Sequence, residues 1–186
     1  MSQKHDRRFA RSQQAIIEAG IATLLRNPSA GMSEIADAAG IGRATLYRHF
    51  DSREALVRKL ALTCMEETQA ALQPHEDLSG RAAVEAIIDV LMPMTDRFRF
   101  LVSLWSLVEG DAQVARIEAR MRDEMLDMFQ QGIAAGDFRA DLPASWMAAF
   151  FDSTLMAGWT LVEAGSATSA EAAAFVKRSF LAGCGK

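Results

Sequence analysis

GMSEIADAAGIGRATLYRHF, residues 31–50, is the stretch from which the rest of the chain can be read. Ile35, Ala36 and Ala39 form one apolar stripe at helical spacing, which predicts a short helix over about 32–39. Ala39-Gly40-Ile41-Gly42 interrupts it, since Gly40 can take a left-handed backbone without steric cost. A second helix is expected over about 43–50, with Leu46 and Phe50 together on its inner face. At about 100° per residue, Ala44, Thr45, Tyr47 and Arg48 then fill the outer arc, with Arg43 and His49 at its margins. A face of hydrogen-bonding and cationic groups suits a helix laid in the major groove of DNA. The same pattern also fits an ordinary helix–turn–helix corner with a solvated outer face.

Charge separates these readings. The 186 residues carry a net charge of −4, which by itself argues against a nucleic-acid partner. Residues 1–60, however, hold ten Lys/Arg and six Asp/Glu, a net of +4, while residues 61–186 hold ten and eighteen, a net of −8. A basic head on an acidic body is the distribution expected when only the head meets phosphate. Leading into the first helix, Arg7, Arg8 and Arg11 are phosphate-facing candidates, and Lys4 reads as part of a solvated, mobile tail.

Around this core the pattern is helical throughout. Helices are expected over about 8–25, 52–72, 80–92, 96–108, 111–135, 142–164 and 168–183, with a linker at 73–77 and no alternating strand pattern. Asp51 and Glu54 have capping-box spacing, as do Thr168 and Glu171. Pro143 and Gly165 bracket the penultimate helix in the usual proline-in, glycine-out order. There is no run of eighteen apolar residues and no secretory-signal pattern, so a cytoplasmic protein without membrane contact is expected. Cys64 and Cys184 lack metal-type spacing and read as two thiols; no metal or cofactor is expected.

TLYRHF followed by DSREAL, preceded by the IA..AG step, resembles the DNA-binding domain of the TetR (tetracycline repressor) family over about residues 8–60. AAGDFRADLPA, residues 134–144, resembles the loop before the penultimate helix of many such proteins. The resemblance implies an all-α fold of about nine helices. A three-helix helix–turn–helix head (1–58) would precede a helical-bundle body for effector binding and dimerisation (59–186). It implies base-edge contacts from Arg43, Ala44 and Thr45, of which Arg43 suits a guanine edge. Phosphate contacts are expected from Tyr47, His49 and Arg53, and from Ser33 at the start of its helix, while Arg48 reads as a phosphate contact or as a solvated charge. Arg53 stands in a helix first turn, where a cation is unfavourable unless it meets an anion. Two departures stand out: Gly31 replaces the usual capping Thr, and Gly20 stands where alanine is common.

The last two expected helices are apolar on more than one face and rich in small residues, and such helices must be buried. The resemblance implies a homodimer built from Ala149, Ser153, Ala157 and Thr160 on one helix and Ala172, Phe175, Val176, Ser179 and Gly183 on the other. Two such heads would read a near-palindromic DNA operator. The aromatic and Met-rich middle of the chain reads as core, or as a pocket for a small apolar or amphipathic effector. Candidate pocket residues are Arg97, Phe98, Trp105, Glu109, Met121, Met125, Phe151, Asp152 and Trp159. A ligand-responsive repressor is therefore the expected function. A constitutive DNA-binding dimer without an effector is the alternative. A helical enzyme is the remote one, because no GxSxG, P-loop, GxGxxG, HExxH or CxxC motif occurs.

Overall fold

The computed structural model describes residues 2–186, with side chains from Ser12 onward. Nine α-helices follow one another: α1 Ser2–Arg26, α2 Met32–Ala38, α3 Arg43–His49, α4 Arg53–Leu72, α5 Gly80–Leu91, α6 Thr95–Leu104, α7 Ala112–Ala135, α8 Ala144–Glu163 and α9 Ser169–Cys184. Short 3-10 turns occupy Gln73–His75, Met92–Met94 and Trp105–Leu107. The fold is all-α, and the only β-type pairing among the described residues is an isolated antiparallel bridge between Phe138 and Gly185. No described helix is long and apolar enough to cross a membrane.

Several ends differ from expectation for local reasons. α1 begins at Ser2, so segment 2–7 is helical rather than a mobile arm; it contains no Gly or Pro to break the helix. Ser52, not Asp51, caps α4, its Oγ accepting the Ala55 N–H at 3.1 Å. Pro143 is the N-cap of α8 rather than a first-turn residue, and its carbonyl accepts the Trp146 and Met147 N–H groups. The capping box at Thr168 and Glu171 forms as expected, with both reciprocal bonds present.

By packing, the chain forms two compact units. The first runs to Met65 and also takes in Asp96–Ala115; the second comprises Glu66–Thr95 and Arg116–Lys186.

In the first unit, Ile16, Ile21 and Leu24 of α1 are buried with Ile35 of α2, Leu46 of α3 and Leu56 and Leu60 of α4. Gly20 is itself buried, and a methyl there would stand 3.0 Å from Leu60 Cδ1, so its role is close packing rather than an exposed weakening of α1. Two ion pairs bring the later segment into this unit. Arg97 of α6 grips Glu18 of α1 through two nitrogens, at 3.1 and 2.6 Å. Arg58 of α4 donates to Asp111, whose other oxygen accepts the Gln113 and Val114 N–H groups and so caps α7. Both carboxyls lie below their usual range, first because of these arginine hydrogen bonds.

The second unit is built on phenylalanines. Phe129, Phe138, Phe151 and Phe180 are all fully buried, and Phe180 meets the other three with ring centroids 5.2–6.3 Å apart. Gly132 lies beneath this cluster, where a Cβ would fall 2.4 Å from the Phe138 ring. That ring is enclosed by Phe129 and Phe180 and has no space to retreat. Gly132→Ala is therefore expected to destabilise the protein by about 3 kcal/mol, despite alanine's better helix propensity, read as a lower urea midpoint. The last residues tie back to the α7–α8 loop, with Arg139 N–H donating to the Cys184 carbonyl and Lys186 N–H to that of Asp137.

Candidate nucleic-acid interface

The turn between α2 and α3 is closed by its own backbone. Gly40 takes φ +66°, its N–H donates to the Asp37 carbonyl and the Ile41 N–H reaches back to Ala36. This is the Schellman arrangement that a left-handed glycine permits. Gly31 caps α2 without any side-chain bond, as its lack of a side chain requires. Ser33 lies half-buried in the first turn of that helix.

α3 is anchored from beneath by Leu46 and Phe50, at 0% and 7% exposure. Its other side is open: Arg43, Ala44, Tyr47 and Arg48 are exposed, and Thr45 and His49 half-buried. Burial, then the charge of Arg48, pulls the His49 imidazole below its usual pKa, which favours the neutral ring at pH 7. Arg48 and Thr45 are coupled, with the guanidinium donating to Thr45 Oγ1 at 2.9 Å. The Thr45 hydroxyl keeps its own hydrogen free to donate.

Arg53, expected at a phosphate, has partners within its own chain. Its guanidinium donates to the Ala30 carbonyl at 2.9 Å and to the Pro28 carbonyl, tying the start of α4 to the α1–α2 loop. These carbonyls supply the negative partners that a cation in a helix first turn needs. Arg53→Ala is expected to lower the stability of the head by about 1.5–3 kcal/mol while leaving the salt dependence of DNA binding unchanged. A salt slope smaller by about one unit would instead assign Arg53 to a phosphate. Arg7, Arg8 and Arg11 lie outside the described side chains.

The pocket candidates fall in both units. Arg97 is engaged by Glu18, Phe151 is enclosed by other phenylalanines, and Trp159 is buried with its indole N–H on the Leu91 carbonyl at 3.2 Å. Phe98 and Trp105 are half-buried and Glu109 exposed within the first unit, whereas Met121 and Met125 are half-buried on α7 in the second. Asp152 is exposed on α8. Of the dimer candidates, Ala172 and Val176 are buried inside their own chain. Ala149, Ser153, Ala157, Thr160, Phe175 and Ser179 face outward, and Gly183 is half-buried. Trp146, at 57% exposure, and Met156, at 39%, extend the outward apolar surface of α8 and were not singled out by small-residue spacing. Among the described residues no cluster of His, Cys, Asp and Glu could hold a metal.

Comparison with known proteins agrees with this architecture. Residues 16–60 match the domain described as bacterial regulatory proteins, tetR family. The repressor LfrR of Mycolicibacterium smegmatis is 25% identical over 157 residues, covering 83% of this chain and 81% of that one. A helix–turn–helix transcriptional regulator of Mycobacterium tuberculosis is 48% identical over 62 residues, 28% of this chain and 31% of that one. The structure of LfrR in complex with proflavine superposes with a TM-score of 0.76 at 22% identity, covering 94% of this chain and 96% of that one. The ketosteroid regulator KstR2 of M. tuberculosis superposes with 0.80 at 20%, covering 95% of each chain. With the basic helix–turn–helix open on its outer face and residues 16–60 matched, the chain carries a tetR-type DNA-binding domain, and its all-α fold is one it shares with TetR-like regulators.

Proposed function

We propose that this regulator is a repressor that binds a near-palindromic operator as a homodimer. In this reading residues 1–58 are the reading head and residues 59–186 the dimerisation and effector body. The observation that carries it is α3 itself: Leu46 and Phe50 hold the helix from below while Arg43, Ala44 and Tyr47 stand clear of the chain. The outward apolar surface of α8 and α9 supports self-association, since a closed two-fold pairing would cover it. Two heads would then read half-sites about 34–36 Å apart or somewhat more.

Selection from a random DNA pool, followed by footprinting and sizing by sedimentation, tests this. A two-fold related half-site pair bound by a dimer is the expected result. A monomer with no salt-sensitive binding to any selected sequence overturns it.

The finer proposal is that an apolar or amphipathic ligand releases the operator by favouring one arrangement of the body. The half-buried Met121, Met125 and Met128 of α7 support it, as adaptable, polarisable surface. So does the relative LfrR, whose structure holds proflavine. Titrating proflavine and a panel of apolar compounds onto the operator complex is expected to yield at least one that lowers affinity in a saturable manner.

A further inference from the structure

Thr45 is the third residue of α3, between the exposed Ala44 and the buried Leu46. Its hydroxyl is used unlike those on α8. Ser153, Thr154 and Thr160 each donate their proton to a carbonyl of their own helix, at 2.7–2.9 Å. Thr45 Oγ1 instead accepts, from the Arg48 guanidinium at 2.9 Å. Among the described residues no carbonyl or carboxylate takes the Thr45 proton.

Donor and acceptor differ in what they can read. A threonine hydroxyl is ordinarily ambivalent, since it can donate to a base edge or accept from one. A guanidinium can only donate, so Arg48 occupies a lone pair of Oγ1 and leaves the proton as the group on offer. A base presenting an N–H would have to share that oxygen with a cation already bonded to it. Thr45 is thereby made a donor, selective for an acceptor edge. Its β-branched side chain is stiff at χ1, so the bond to Oγ1 also fixes where the methyl points.

In the major groove cytosine presents the N4 donor, whereas thymine presents the O4 acceptor with the C5 methyl beside it. Adenine and guanine carry acceptors but no methyl. Thr45 offers a proton and a methyl together, at the N-terminal end of a helix whose first residues approach base edges. The exposed Ala44 adds a second methyl next to it. Donor and methyl match thymine at both points.

We infer that Thr45 reads a thymine in each half-site and that Arg48 is its positioning residue, acting through the Thr45 hydroxyl rather than through a phosphate. The inference rests on the DNA-reading proposal above and goes beyond it by naming a base and the residue that enforces the choice.

The test titrates the full-length protein onto the selected operator, with thymines of one half-site replaced singly and the paired base matched. Uracil keeps O4 and removes the methyl, while 5-methylcytosine keeps the methyl and turns the acceptor into a donor. For wild type, one thymine is expected at which 5-methylcytosine lowers affinity about tenfold or more and uracil about threefold. Thr45→Val keeps the shape and loses the proton, so thymine and 5-methylcytosine should come within about threefold there. Thr45→Ser should keep the 5-methylcytosine penalty and lose that of uracil. Arg48→Met removes every donor at similar length and should narrow the same preference at the same position, with an unchanged salt slope. The double variant Thr45→Val with Arg48→Met should be no less selective than Thr45→Val alone, the non-additivity of a shared contact. Thermal melts confirm that each variant folds.

Equal losses on every sequence for Arg48→Met, with a salt slope smaller by about one unit per head, would make Arg48 a phosphate contact and overturn the pairing. A 5-methylcytosine penalty that survives Thr45→Val at every thymine, or a selected half-site without thymine, overturns the base assignment. In both cases the DNA-reading proposal stands. A wild type without salt-sensitive binding to any selected sequence overturns that proposal and this pair together.

Discussion

Phe180→Ala is expected to lower the stability of the protein by about 3–5 kcal/mol, visible as a fall of roughly 6–20 °C in melting temperature. Phe180 is fully buried and touches four other rings: Phe129 at 5.6 Å, Phe138 at 6.3 Å, Phe150 at 5.9 Å and Phe151 at 5.2 Å. Three of these pairs are edge-on or tilted and one is stacked, so alanine forfeits ring–ring geometry as well as apolar area. The surrounding rings come from α7, the loop after it and α8, and close packing on all sides restricts collapse into the void. Because α9 carries half of the proposed dimer face, the variant should also dissociate at lower dilution than wild type. Phe180→Leu retains most of the volume, and its melting temperature should fall less than half as far. Equal losses for Leu and Ala would mean that edge geometry, not volume, holds the cluster.

Arg43→Ala is expected to be the largest functional loss. Arg43 is the first residue of α3, exposed, and at a helix N-terminus that has no acidic residue in its first turn. A cation there opposes the helix dipole, a local cost compatible with a position held for a ligand. Residues at the N-terminus of a recognition helix approach base edges, and a two-pronged guanidinium suits O6 and N7 of guanine. Losing such a contact costs about 1–3 kcal/mol, and a two-fold complex incurs it twice, so operator affinity should fall by about 2–6 kcal/mol. Binding to random DNA should fall far less, because only one positive charge per head is lost. The comparison is made by titrating the variant onto selected operator and random duplex at one salt concentration. Equal losses on both would move Arg43 from base reading to phosphate contact.

The head was legible in sequence because its constraints are local. Gly40 announces a left-handed turn, and Leu46 and Phe50 announce the buried side of α3, so the exposed side follows from helical geometry alone. The same holds for the capping box at Thr168, which needs only its own next turn. The intramolecular partners of Arg53 were not legible, for the opposite reason. Its carbonyl partners at Pro28 and Ala30 lie more than twenty residues upstream, and nothing in the local pattern marks them. Trp146 escaped notice because small-residue spacing points to tight helix contacts, not to large exposed rings at their edge.

What the sequence by itself determined is the all-α pattern, the helix–turn–helix and the charge contrast between head and body. Each of these follows from neighbours along the chain or from composition. Only the tertiary structure decided that Asp96–Ala115 packs with the head, through Arg97 on Glu18 and Arg58 on Asp111. It alone also decided which side of α8 is spent on the phenylalanine core and which is left outward. A helix apolar on every face carries no record of its neighbours in its own periodicity, and ion pairs spanning fifty residues or more are chosen by packing, not by spacing.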